Sequence, residues 1–409
     1  WNPPKIQETD WQGFPLVVSG RSEQAMRDGA ARLKSWLANH AEAAWGDVLY
    51  TASAGRTHFD SRAALVVKDA ADAMEKLGAL AEGKAPAGGM TGEGSSSGRL
   101  AMLFTGQGSQ VLGMGRALYD AYPVYRKAWD TIAAELDTHL DKPLQAVVFA
   151  AQGSDDAALL HETQWTQPAL FAVECALYRV WESVGVLPDY LLGHSIGELS
   201  AGYVAGVLSL GDAAKLVCAR GRLMQACEPG GAMASIQASE DEVLPLVQER
   251  AGKVDIAGIN GPQQTVISGD ETAVGAIVGY FDAANRKTTR LTVSHAFHSV
   301  HMDAMLEDFR AIAETCDYSA PNIPVVSNVT GVLAQNDDLV TADYWVRHVR
   351  SAVRFLDGMQ TLRDAGATQF LECGPKGVLC AMGAGCLPEL SSAFVPSMRK
   401  QGDEPKNLA

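Results

Sequence analysis

Apolar positions along the chain fall into two spacings, and their alternation marks out short strands separated by helices. FPLVVSG at 14–20 has the pattern of a strand, and SEQAMRDGAARLKSWLANH repeats its apolar positions every three or four residues. RAALVVKD is a second strand before another helical stretch, so residues 15–81 read as a small α+β unit. GKAPAGGMTGEGSSSG at 83–98 is Gly/Ser-rich and predicts a linker or exposed loop that buries nothing. The pattern changes at RLAMLFTGQGSQ, an apolar strand running into a glycine-rich turn. Helical spacing follows over 122–137 and 168–184, with Thr166 placed to cap the second helix and Pro168 in its first turn.

PDYLLGHSIGELSAGYVAG reads as strand, tight turn and helix. Strand patterns at 232–238, 254–260, 264–269 and 288–293, with helical patterns after the first and third, give the order β-α-β-β-α-β of a ferredoxin-like insert. A helix near 302–315 and strands at 323–327 and 369–373 complete a larger α/β domain around it.

Composition adds boundaries to this picture. The chain has 409 residues, 47% hydrophobic and 20% charged, enough for more than one folded core. A formal charge of −15 without a basic block argues against nucleic-acid binding. The opening WNPPKIQETD lacks the basic flank and apolar core of a leader, and no run of eighteen apolar residues follows. These features predict a cytoplasmic chain with no membrane partner. Seven dispersed cysteines without a CxxC pair predict neither disulfides nor a zinc knuckle, but small buried side chains.

The strongest chemical signal is GHSIG at 193–197. A sharp strand-to-helix turn projects Ser195, and the helix that begins there aims free N–H groups at a developing oxyanion. A serine nucleophile needs a base, and His298 or His348 is allowed by chain order. Asp255, Asp270 and Asp303 are possible third members by position, although each also reads as a loop or surface residue. The Gly-Gln-Gly turn at 106–108 offers a backbone N–H beside the nucleophile. In CARGRLMQ, Arg220 and Arg222 are two positions apart and do not share a helical face, so at most one enters a pocket, where a guanidinium suits a carboxylate. VSHAFHSVH at 293–301 places three of the nine histidines together, a spacing open to a metal site, a catalytic base or ordinary packing.

The runs FTGQGSQVLGMG, TQPALFAVE, GHSIGELSAGYVAG, RGRLMQ, ISGD, SHAFHS, SNVTG, YWVRHVR and FLECGPKGVL, in that order, resemble the malonyl-CoA:acyl-carrier-protein transacylase family, and more closely the acyltransferase domains of modular type I polyketide synthases. The resemblance implies an α/β-hydrolase-like large subdomain at 100–230 and 294–388 and a ferredoxin-like small subdomain at 231–293. A ketosynthase-to-acyltransferase linker domain would occupy 1–99 and a post-acyltransferase linker 389–409, which would pack back on the first linker. It implies Ser195 as nucleophile and His298 as base, in a dyad whose histidine is oriented by a main-chain carbonyl assigned to His348. Gln107 and Ile196 would supply oxyanion-hole N–H groups, and Arg220 would bind the malonyl carboxylate, leaving Arg222 structural. Asn260 and His194 match pocket positions. His295, Phe297 and Ile196 match residues that select malonyl over methylmalonyl, and His301 is left as a helix-start or surface residue. The implied reaction is ping-pong transfer of malonyl from malonyl-CoA to the phosphopantetheine thiol of an acyl carrier protein domain, with no metal and no cofactor bound for catalysis. The ketosynthase of the same megasynthase is a further implied partner. Arg347, Arg350 and Arg354 offer a basic docking surface. A serine or editing acyl-thioester hydrolase and a non-catalytic docking module are the alternatives.

Overall fold

Twelve strands organise the computed structural model, which describes residues 14–94, 98–335 and 338–399. Its two units meet in sequence between Gly98 and Arg99. In the first, β1 (Phe14–Gly20), β2 (Ser61–Val67) and β3 (Gly89–Glu93) form an antiparallel sheet in the order β1-β2-β3. Helices Glu23–Asn39 and Ala70–Ala81 are capped by Ser22 and Asp69, whose side chains accept backbone N–H bonds three residues on. The core collects Leu16, Leu65, Val67 and Leu77. β3 corrects the expected loop at 83–98. Its residues bury almost nothing, as their composition demands, yet main-chain pairing with β2 orders them without help from side chains.

The second unit contains β4 (Arg99–Phe104), β5 (Tyr190–Gly193), β6 (Ala232–Ile236), β7 (Val254–Gly261), β8 (Gln264–Gly269), β9 (Thr288–Arg290), β10 (Val325–Val326), β11 (Ala367–Cys373) and β12 (Phe394–Pro396). The larger sheet runs β10-β5-β4-β11-β12, with every pair parallel. Helices cover it, so β4 and β5 read as continuous apolar runs rather than alternations. The insert has the order β7-β8-β6-β9, all antiparallel, with helices Glu240–Gln248 and Glu271–Ala283 after its first and third strands, the expected ferredoxin-like order.

Two boundaries differ from expectation. The helix expected at 168–184 runs Thr163–Ser183 with Pro168 inside it. Gln225 accepts the Thr163 N–H at 2.7 Å, a long-range cap that supports the extra turn, and Thr166 bonds back to the Leu160 carbonyl at 2.6 Å instead of capping. The stretch expected as a linker at 389–409 contributes β12, stacked on β11 through Phe370 and Phe394 with ring centroids 4.4 Å apart. Residues 400–409, where the chain was expected to pack back on the first linker, lie outside the described residues.

Candidate active site

Phe104 of β4 pairs with Gly193 of β5, so two loops leave the same edge of the parallel sheet side by side, the crevice where such sheets place ligands. One carries Gly106 and Gln107, the other His194 and Ser195. Ser195 has φ 53° and ψ −116°, a conformation that costs about 1–3 kcal/mol and must be held by its surroundings. A Cβ on Gly193 would lie 2.1 Å from the Glu198 nitrogen, and one on Gly197 would lie 2.2 Å from the Phe104 carbonyl oxygen. Both glycines of GHSIG therefore answer to close backbone approach.

Asn328, just past β10, fastens the turn. Its Oδ1 accepts the Ser195 N–H at 2.8 Å, its Nδ2 donates to the Gly193 carbonyl at 2.8 Å, and its own N–H donates to Glu198 at 2.9 Å. Glu198 is fully buried and also accepts from the Tyr344 hydroxyl. Beneath the loops, buried Glu174 accepts from Thr105 at 2.5 Å and Ser200 at 2.6 Å, joining the β4 loop to the nucleophile helix Ile196–Val204. Burial pushes its carboxyl up to about 8.

The Ser195 hydroxyl donates to His298 Nε2 at 2.8 Å, and His298 Nδ1 donates to the Ser351 carbonyl at 2.8 Å. A carbonyl can only accept, so the proton sits on Nδ1 and Nε2 turns a lone pair to the serine. Burial, with the nearby Arg220 and His348, holds His298 well below the usual histidine range, which keeps it a neutral base at neutral pH. The carbonyl expected from His348 thus belongs to Ser351. His348 lies inside helix Ala342–Arg350, whose carbonyls run along the axis. Ser351 caps that helix in extended conformation, ψ 153°, and its carbonyl is free to turn toward the imidazole. The His348 side chain is buried with Nε2 3.2 Å from Glu198, out of hydrogen-bond alignment.

Arg220 is 1% exposed. Its Nη2 donates to Ser195 Oγ at 3.1 Å, while its Nε has no hydrogen-bond partner among the described residues. Burial draws its pKa down to about 9, partly offset by the Glu198 carboxylate, so it is still a cation at pH 7. Arg222 is exposed on another face of the same helix, Leu210–Gln225. The backbone N–H groups of Gln107 and Ile196 have no acceptor among the described residues, whereas the Ser195 N–H is occupied by Asn328. Thr163 and Gln167 anchor the Gln107 side chain.

The histidines of VSHAFHSVH turn to three different partners. His295 Nε2 lies 3.0 Å from the Cys227 carbonyl, and His301 Nε2 lies 2.9 Å from Asp270. Phe297, between the first two, is 8% exposed. His194 Nε2 bonds Asn260 Oδ1 of β7 at 2.9 Å, so this pair crosses from the large subdomain to the insert. Arg350 and Arg354, expected on a docking surface, are spent within the unit. Arg350 pairs with Asp255 and Asp303, and Arg354 with Glu240 and Asp357; of the three arginines only Arg347 is exposed. All seven cysteines are free and buried. Among the described residues there is no cluster of metal-ligating side chains, and no helix is long and apolar enough to cross a membrane.

Sequence reasoning missed Asn328, Glu198 and Ser351 as supports of the site. Asn328 had a faint signal, a polar amide directly after an apolar strand.

A serine on a strained turn at a parallel sheet edge, paired with a neutral histidine that a carbonyl orients, defines a Ser–His acyl-transfer enzyme. Residues 101–408 match the model of the acyl transferase domain, and 15–77 match that of the CurL-like polyketide synthase C-terminal region. The chain belongs to the acyl transferase domain family and is an acyltransferase domain of the modular polyketide synthase type, with its adjoining linker region. It is 49% identical over 96% of its length to polyketide synthase GfsA of Streptomyces halstedii, of which it spans only 5%. The acyltransferase domain from the second module of the salinomycin polyketide synthase superposes with a TM-score of 0.81 at 45% identity, covering 95% of this chain and 90% of that one. The acyltransferase domain of ZmaA gives 0.89 at 27% identity, covering 98% and 93%.

Proposed function

We propose that this domain loads malonyl from malonyl-CoA onto the phosphopantetheine thiol of a polyketide synthase carrier domain, through a malonyl ester on Ser195. The observation that carries the substrate is Arg220: a buried cation, unpaired at Nε and beside the nucleophile, is costly unless a ligand brings the missing anion. A malonyl group presents its thioester to Ser195 and its free carboxylate to the guanidinium fork.

His298 Nε2 takes the Ser195 proton as Oγ attacks the thioester carbonyl. The oxyanion is met by the Gln107 and Ile196 N–H groups. Collapse expels the coenzyme A thiolate, which takes the proton from His298, and malonyl stays on Ser195. The carrier thiol then gives its proton to His298 and attacks the ester, and Ser195 leaves with that proton. Thioester and oxyester are close in free energy, so the exchange is reversible. Phe297 and Ile196 support malonyl over methylmalonyl by occupying the space an α-methyl needs, and His295, His194 and Asn260 are proposed to shape the same pocket. The linker unit supports a ketosynthase neighbour in a longer, cytoplasmic synthase.

Incubation with malonyl-CoA should add one malonyl group to the intact protein, and Ser195→Ala should abolish the gain. Addition of carrier protein should then clear the label by transfer. Label lost to free malonate at the same rate with or without carrier would make the domain a hydrolase instead.

A further inference from the structure

Two of the acids that chain position offered as partners of His298, Asp255 and Asp303, converge on one arginine instead. Arg350 Nη2 lies 3.0 Å from Asp255 Oδ2, and its Nε lies 2.7 Å from Asp303 Oδ1. Asp255 Oδ2 also accepts the Val300 N–H at 3.0 Å. Val300 and Asp303 belong to the turn Val300–Met305, two residues past His298, and Asp255 lies in β7 of the insert. Arg350 ends helix Ala342–Arg350 and is bonded covalently to Ser351, whose carbonyl holds His298 Nδ1. One guanidinium thus grips the chain beside both partners of the His298–Ser351 hydrogen bond. His298 itself has φ 55°, a conformation its own backbone does not favour and its surroundings must hold.

We propose that Arg350 and Asp255 act as a positioning pair that sets the His298–Ser351 hydrogen bond, and through it the tautomer and aim of the catalytic base. Neither side chain touches a reacting atom. The titratable groups facing His298 are Arg220, His348 and His194, with Ser195 and the Ser351 carbonyl as its hydrogen-bond partners. The pair works from outside that set, through the two chain segments it joins. Arginine suits the task because its planar fork reaches two carboxylates in fixed directions, which a lysine ammonium does not.

The test uses the full chain and rests on the acyl-transfer reading. Malonylation of wild-type Ser195 in the same assay checks that reading by itself, so a silent result confined to the variants bears on the clamp alone. Arg350→Lys keeps the charge and loses the fork. It should lower kcat by about ten- to a hundredfold, the scale of a small misplacement of a catalytic group, with KM for malonyl-CoA nearly unchanged. The acid limb of its pH profile should move down, because the Ser351 bond is the one contact that favours protonated His298. Asp255→Ala should behave alike, and the double variant should be no worse than the poorer single. Arg354→Lys loosens a comparable tie to Glu240 of the insert without touching either segment, and should keep wild-type kcat and pH profile. Wild-type kinetics in Arg350→Lys, an equal fall in Arg354→Lys, or additive losses in the double variant would overturn the proposal. Should Arg350→Lys fail to fold, Asp255→Asn decides the matter: it leaves an acceptor for Val300 and removes the ion pair, and unchanged kcat would count against the clamp.

Discussion

Replacing Arg220 with methionine separates the demands of binding from those of stability. If Arg220 is the carboxylate site, a malonyl group satisfies the guanidinium in the wild type, whereas an acetyl group leaves the charge buried at 1% exposure without its anion. Leaving one partner of a buried pair unmatched costs about 3–5 kcal/mol. At about 1.4 kcal/mol per power of ten, this is a preference for malonyl-CoA over acetyl-CoA of about a hundred- to a few thousandfold in kcat/KM. Arg220→Met keeps most of the volume and removes the charge, so the preference should collapse, through a fall for malonyl-CoA with acetyl-CoA unchanged or faster. The same change should raise the melting temperature, since replacing a buried ion by a well-packed apolar side chain is neutral or stabilising by about 1–4 kcal/mol. The acid limb of acylation should also move up in pH, because the Arg220 charge, after burial, is the largest cause of the lowered His298 pKa. Competition between the two thioesters, read by intact mass and paired with thermal unfolding, measures both effects. A malonyl-to-acetyl ratio within about twofold of wild type would refute the assignment of Arg220 as the carboxylate site.

Asn328→Ala leaves the Ser195 N–H and the Gly193 carbonyl without partners; at about 1–3 kcal/mol each it should cost about 2–6 kcal/mol in denaturant unfolding, and a loss under about 1 kcal/mol would show that the turn holds itself. Phe297→Ser with His295→Tyr should raise methylmalonyl transfer relative to malonyl by about ten- to a hundredfold, the worth of one methyl group, and an unchanged ratio of kcat/KM would reject the steric account. His298 is held neutral with a folded pKa below its unfolded value, so the unfolded chain binds the extra proton first. The stability contribution is complete above about pH 6.5 and is lost as pH falls through that value toward the folded pKa. Urea unfolding should therefore steepen its pH dependence below about 6.5 in wild type relative to His298→Gln, and parallel curves would contradict the burial argument.

What the sequence announced was local. The elbow is legible because two glycines and a serine must occur within five residues for the chain to turn there at all. The insert is legible because its strands and helices carry their own periods. The misses are contacts between distant segments. Gly89–Glu93 joins a sheet through its main chain, which leaves no mark in side-chain pattern. Thr163 starts a helix because Gln225, 62 residues on, caps it. Ser351 escapes for a deeper reason: its contribution is a carbonyl, which every residue has, so only the end of a helix and the direction of ψ single it out.

The acids that a sequence does mark were spent elsewhere, and this shapes the chemistry. With a carbonyl in place of a carboxylate behind His298, no full negative charge touches the imidazole. Glu198 faces Arg220 through its field while its oxygens are taken by Asn328 and Tyr344, so the guanidinium fork stays open. The pocket is thus short of one anion. On the proposed reading, a substrate carboxylate seated on Arg220 would supply it and offset the Arg220 share of the His298 depression, whose largest cause is burial. A ligand that fits the pocket would thereby strengthen the base that acts on it, and an acyl group without a carboxylate would meet both an unpaired cation and a weaker base.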